Sequence, residues 1–250
     1  MNKVYFLCGN ARTFLHCFDS VYKNVIEHLF KKNDAKNTYV LFYLKCDDPG
    51  PKGQKNWDFS YETLDKEYLL CEIEKFKKKY TNITFVSKIL ETNEISDKDL
   101  INQIKKRSLY IDHLGEGGKN GGKILRALHC HFNIERCGQL IEEIEKNNNL
   151  VFDYYIYIRP DLLFSSPCKE ISNYSNSLVS CSYKNGTDLK SANIDHYAII
   201  PKCCKNSFLF DRMKMIRNNE TETHNSPESI YLSTIKYEKQ VMGHYIIKRN

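Results

Sequence analysis

The sequence lacks most of the features that classify a chain at once. No stretch is long and apolar enough to span a bilayer. None of its ten cysteines forms a Cys-x-x-Cys pair. Cys203 and Cys204 are adjacent, and the others are far apart except Cys130 and Cys137. A zinc site or a dense disulfide scaffold is therefore not expected in 250 residues. The apolar run at residues 4–8 is too short for a signal-peptide core and is ended by Gly9-Asn10. A reducing, cytoplasmic setting is the expectation. Internal repeats are absent, and so is any linker that would split the chain. Charge of one sign is not abundant either, with a net charge of +6. Such a balance suits anionic small molecules and also weak nucleic-acid binding. The lysines, however, are scattered over segments such as 74–80 and 97–107, which read as solvated helix faces. Asn82-Ile83-Thr84 and Asn185-Gly186-Thr187 match the glycosylation pattern, and the abundance of asparagine accounts for them.

What is present reads as an ordinary globular chain, 41% hydrophobic and 27% charged. Residues 3–8 read as a buried strand. Gly9-Asn10-Ala11-Arg12-Thr13 follows as a tight loop, with Thr13 placed to cap a helix. Phe14, Phe18, Val21, Val25 and Leu29 then recur on one helical face. This is the strand–loop–helix start of a nucleotide-binding βαβ unit, although only Gly9 of the dinucleotide glycine pattern is there. Arg12 stands at the helix entrance, where a diphosphate would lie. Residues 38–44 are a second strand, and Asp47 and Asp48 follow its end. There they serve either base or ribose contacts or a polar turn closed by Pro49-Gly50. A helix through Leu69, Ile73, Phe76 and Tyr80 and a third strand at 83–89 come next.

Gly117 to Lys123 has the spacing of a phosphate-binding loop, but Ile124 stands where Ser or Thr would hold magnesium. A mobile loop closing over substrate is the preferred reading. Residues 123–147 form a long helix with Ala127, Cys130, Ile134, Cys137, Ile141 and Ile144 as its apolar stripe. On this reading Cys130 and Cys137 are core residues, and His129 and His131 lie off the stripe. Later elements are strands near 178–183 and 197–200, an amphipathic helix at 208–216, and a helix start at Ser226-Pro227-Glu228. A strand around Tyr245-Ile246-Ile247 follows.

One stretch organises the rest. Residues 152–164 begin as a Tyr/Ile-rich strand and break at Arg159-Pro160-Asp161. Pro160 has no amide hydrogen for a ladder, so pairing should end there. Alternation would put Arg159 and Asp161 on one side, at the strand end where α/β sheets bind ligands. A simple Arg–Asp salt bridge is the other reading of the pair.

The order strand–GNART–helix, Tyr/Ile strand with Arg-Pro-Asp, loop–Asp–strand and late Pro-Glu helix resembles the short GT-A-type glycosyltransferases. Notable among these are those of large DNA viruses and related lipopolysaccharide-synthesis proteins. The resemblance implies an α/β fold: a single GT-A-like domain over 1–250 with a Rossmann-like, mostly parallel central sheet flanked by helices. Residues 1–164 would be the nucleotide-sugar half and 165–250 the acceptor half. It implies a nucleotide-sugar donor, a glycan or other hydroxyl acceptor, and Mn²⁺ or Mg²⁺. Arg159-Pro160-Asp161 takes the place of the family's DxD motif, with the first acid replaced by Arg. Asp161 remains able to bind a cation, while Arg159 is suited to the diphosphate itself, so the metal becomes dispensable. Gly9, Arg12, Asp47, Arg159 and Asp161 are the implied donor-binding residues. Asp195 and Glu228 are the implied catalytic residues, and His244 is a second metal ligand beside Asp161. The alternatives are a P-loop-like phosphotransferase using Gly117–Lys123 and a non-catalytic nucleotide- or nucleic-acid-binding module.

Overall fold

The computed structural model describes residues 1–11, 13–30, 37–46, 64–104, 121–182, 196–218, 235–240 and 245–247. The first strands are long apolar runs, as strands buried on both faces must be. They are β1 (Lys3–Asn10) and β2 (Thr38–Lys45), beside the more alternating edge strand β3 (Thr84–Leu90). The Tyr/Ile strand is β4 (Tyr154–Ile158). Then come β5 (Leu162–Phe164), β6 (Val179–Ser182), β7 (Tyr197–Pro201), β8 (Tyr237–Gln240) and β9 (Tyr245–Ile247). Seven strands form one sheet in the order β3-β2-β1-β4-β7-β6-β8, and β5 pairs with β9. Within the sheet only β7 runs against the rest. The expected mostly parallel α/β sheet is thus present, and strands from both sides of residue 164 share it.

Helices cover both faces. Helix α1 begins at Phe14–Val21, opens into a π turn at Tyr22–Ile26 and closes with Glu27–Leu29. Its five expected stripe residues are all fully buried. The wider turn is accommodated by the segment after β5, where Cys168 N donates to Asn24 O (2.8 Å) and Asn24 Nδ2 to Phe164 O (2.9 Å). Helix α2 (Lys66–Lys79) packs on the same face and is capped by Asp65, whose Oδ1 accepts from Tyr68 N. Phe14 and Phe18 meet Phe42 and Phe76 there, with ring centroids 4.7–6.0 Å apart. Its outer lysines are tied to acids: Lys75 to Glu72, Lys77 to Glu74, and Lys79 to Asp19. That is a solvated face rather than a nucleic-acid stripe.

The other face carries α4 (Gly121–Asn147), which leads into β4, together with α5 (Lys205–Leu209) and α6 (Asp211–Asn218). Ile134, Cys137, Ile141 and Ile144 of α4 pack on Val4, Phe6, Tyr155 and Tyr157. A smaller core joins Leu128 and Phe132 to Met213, Ile216 and Leu100 of α3 (Asp97–Asn102). Gly138 is needed where α4 meets the α5–α6 junction, since a Cβ there would lie 2.7 Å from the Phe210 ring.

Several local expectations are corrected. Cys130 is exposed, whereas His129 and His131 are buried. Helix α4 is covered on more than one side, so a single stripe does not describe it. His131 faces inward with the buried Arg212. Burial, and then the Arg212 charge, hold its imidazole well below its ordinary pKa. His129 Nε2 meets Asp97 Oδ1 at 2.7 Å. Thr13 occupies the N-cap position of α1, but its side chain makes no capping bond. The helix expected at 208–216 is two helices broken at Phe210. Of the glycine-rich stretch, residues 115–120 lie outside the described residues. From Gly121 the chain is already α4, and residues 105–114, which lead into the stretch, also lie outside the described residues.

Candidate functional site

The order of the strands locates the site. From β1 the chain moves outward through β2 to β3, then returns to place β4 on the other side of β1. The carboxyl ends of β1 and β4 therefore flank a topological switch point, where α/β sheets open a crevice. Register sets the details. Leu7 pairs with Ile158, so β1 continues through Gly9 and Asn10 while β4 turns away at Arg159. Gly9 adopts φ +143°, a value L side chains rarely take. A Cβ on it would lie 3.3 Å from Pro160 Cδ, so the bare main chain of β1 rests against the proline ring.

Arg159-Pro160-Asp161 forms a turn between β4 and β5, not a continuation of the strand. It is pinned by Arg159 N donating to His196 O (2.8 Å) and Leu162 N to Arg159 O (3.3 Å). Arg159 and Asp161 bond each other, which is the salt bridge given above as the other reading of the pair, and the turn rather than strand alternation brings them together. Arg159 Nε donates to Asp161 Oδ1 (2.6 Å) and Nη2 donates to Oδ2 (2.7 Å). This is a two-point guanidinium–carboxylate pair. The Asp161 side chain is 9% exposed and that of Arg159 26%, so the carboxylate lies inside and the cation outside.

Residues 12, 47, 195, 228 and 244 lie outside the described residues, so of the expected set Gly9, Arg159 and Asp161 are the ones seen together. The chain beside some of the others is visible at the same edge. Ala11 N donates to Lys45 O and Cys46 N to Leu90 O, each at 2.8 Å, which ties the ends of β1, β2 and β3 together. His196 is the residue that accepts from Arg159 N. Tyr245 is paired in register with Phe164, just beyond the Arg-Pro-Asp turn.

A second ionic group at the β3 end was not anticipated. Glu94 accepts from Tyr43 Oη (2.8 Å) and Arg136 Nε (2.8 Å), with Lys88 Nζ at 3.3 Å. The Arg136 bond, with the Tyr43 and Lys88 bonds, holds its carboxyl down at about 2. Glu94 and Arg136 are 42 residues apart, and no local pattern signals such a pair. At the opposite end of β4, an open groove of about 830 Å³ is lined by Asp153, Tyr154, Pro201, Lys202 and Cys203. Of the expected site residues that are described, Gly9, Arg159 and Asp161, none borders it.

A divalent cation needs several oxygen ligands around one point. Among the described residues no three acidic, histidine or cysteine side chains form such a group. Both oxygens of Asp161 are already engaged by a guanidinium. The described residues of the turn therefore do not by themselves form a cation site. Among them, too, no helix is long and apolar enough to cross a membrane.

No protein-family profile matches the sequence, and no curated protein matches it. Among solved structures the chain is similar to the glycosyltransferase GlyE of Streptococcus pneumoniae TIGR4, at 9% identity and TM-score 0.47, over 96% of this chain and 46% of that one. It thus spans less than half the length of that protein. It is similar to an active-site mutant of LgtC at 9% identity and TM-score 0.46, over 96% of this chain and 71% of that one. A glycosyltransferase involved in glycosylation of the major capsid of PBCV-1 is similar at 9% identity and TM-score 0.34, over 67% of this chain and 71% of that one.

Proposed function

We propose that this protein moves a sugar from a nucleotide-sugar donor to an acceptor hydroxyl. The observation that carries the reading is the β1/β4 switch point, where Gly9 lies on Pro160 and Arg159 pairs with Asp161 just past the end of β4. Glycine there lets the Pro160 ring pack against the main chain of β1. Arg159, permanently charged and forked, meets the diphosphate, and Asp161 holds it in position. Arg12 and Asp47 complete the donor site through the phosphate and the ribose or base. Residues 1–164 supply the donor half and 165–250 the acceptor half.

In the reaction the acceptor oxygen attacks the anomeric carbon of a hexosyl donor. The bond from that carbon to the diphosphate oxygen breaks, and its electron pair leaves with the diphosphate. Arg159 stabilises the charge that develops there. The acceptor proton passes to the Glu228 carboxylate, and Asp195 holds the sugar hydroxyls. The acceptor is a glycan, protein or lipid hydroxyl, and the setting is cytoplasmic, that of a host cell if the chain is viral. Asp161 and His244 were the expected ligands of Mn²⁺ or Mg²⁺. With both Asp161 oxygens held by Arg159, no step here runs through a metal.

A thermal-shift screen tests the site. UDP, GDP, CDP and dTDP are each raised toward a hundred times the dissociation constant. The one that fits should add about 2.7 kcal/mol, a rise of roughly 5–11 °C for a chain of this size. Four unchanged melting temperatures would remove the donor site from this crevice.

A further inference from the structure

The adjacent cysteines Cys203 and Cys204 stand at the end of β4 opposite the switch point, and the proposed sugar transfer does not use them. We propose that this pair is a redox modification site, which a peroxide oxidises reversibly to a disulfide. The inference does not depend on the reading of the switch point.

Three observations support it. First, the two sulfurs touch, with Cys203 Sγ 3.8 Å from Cys204 Sγ. They lie on a single 3₁₀ turn, Lys202–Cys204, between β7 and α5. That turn is tied to the start of β4 by Lys202 N, which donates to Asp153 O (2.9 Å). Second, one short segment holds both thiols. Cys203 Sγ donates to Asn176 O (3.6 Å) and Cys204 Sγ to Ser177 O (3.3 Å), two consecutive carbonyls. The segment is itself folded on Ser175 Oγ, which accepts from Ser177 N (3.1 Å) and Leu178 N (3.0 Å).

Third, the two thiols differ in access. Cys203 is exposed and borders the groove of about 830 Å³, whereas Cys204 is buried against the core. Burial, and then the contact with Cys203, push the Cys204 thiol up to about 11. Cys203 therefore meets the oxidant while Cys204 waits as a thiol. Cys137 also contacts Cys8, but both are buried away from solvent.

The chemistry runs in two steps. The Cys203 sulfur attacks one peroxide oxygen, the O–O bond breaks, and the departing hydroxide takes a proton to become water. Cys203 is now a sulfenic acid. The Cys204 sulfur then attacks it, the S–S bond forms, and the sulfenic hydroxyl leaves as water with the Cys204 proton. Two thiols and one peroxide thus give one disulfide and two waters. Contact between the sulfurs favours closure over further oxidation. Adjacent Cα atoms are about 3.8 Å apart, less than the roughly 4.4–6.8 Å that disulfides usually span, so the ring is strained and easily reduced.

Peptide mapping of the folded full chain tests the site. The reduced protein is treated with hydrogen peroxide, then unfolded and alkylated. The expected product is a peptide in which Cys203 and Cys204 are both unalkylated and two hydrogens are lost. Dithiothreitol should restore alkylation of both. In Cys204→Ser, dimedone should trap about tenfold or more Cys203 sulfenic acid than in wild type, because the closing thiol is gone. Circular dichroism confirms that the variant is folded, and the wild-type map decides the question without it. A lasting Cys203 sulfenic or sulfinic acid beside an alkylated Cys204 would overturn the inference. So would a disulfide from Cys203 to any other cysteine, or a pair left unoxidised.

Discussion

Replacing Gly9 by alanine separates backbone strain from side-chain crowding at the switch point. The residue sits at φ +143°. Holding an L residue in such a region costs on the order of 1–3 kcal/mol. The new Cβ would also lie 3.3 Å from Pro160 Cδ and 3.7 Å from Cγ. The second distance is ordinary contact, and a shift of a few tenths of an ångström relieves the first. Backbone strain should therefore dominate. For 250 residues each kcal/mol corresponds to about 2–4 °C, so the melting temperature should fall by roughly 2–12 °C. Urea unfolding of wild type, Gly9→Ala, Pro160→Ala and the double variant tests which effect is greater, provided the slopes agree. If strain dominates, removing the proline ring gives no rescue and the coupling stays below about 0.5 kcal/mol. A coupling above about 1 kcal/mol would mean that crowding outweighs strain. An unchanged midpoint for Gly9→Ala would refute the left-handed backbone itself.

Acid should weaken the β3 end through Glu94. Its carboxyl is held at about 2 against an ordinary 4.5, so its contribution is complete above the higher value and is lost as pH falls toward the lower. The stability gap between wild type and Glu94→Gln should close between pH 4.5 and 2; a gap that stays constant down to pH 2 would exclude the Arg136–Glu94 bond as its source. Thiol accessibility tests the orientation of α4. A brief native alkylation should modify Cys71, Cys130 and Cys203, and peptide mapping should find Cys137 modified only after unfolding. Equal labelling of Cys130 and Cys137 would contradict the packing of that helix.

Local pattern alone determined much of this protein. The apolar runs of β1, β2 and β4 are legible because strands buried on both faces must be apolar throughout. The α1 stripe is legible because all five of its members face one sheet. The break at Pro160 follows from a missing amide hydrogen, and the strand end as the place to look follows from how α/β sheets bind ligands. Tertiary structure decided the rest. The sequence cannot rank neighbours, so the position of β1 between β2 and β4, which creates the switch point, comes only from the sheet. Packing from several sides buried His129 and His131 and left Cys130 outside, which a single helical stripe could not express. The pairing of Glu94 with Arg136 and the rest of Pro160 on Gly9 join residues distant in the chain. The orientation of Arg159 arose in the same way. Sequence supplies an arginine two residues from an aspartate. Only the pinned turn closes the two-point pair and covers the acid more deeply than the base, because contact geometry, not residue type, sets which side chain is buried.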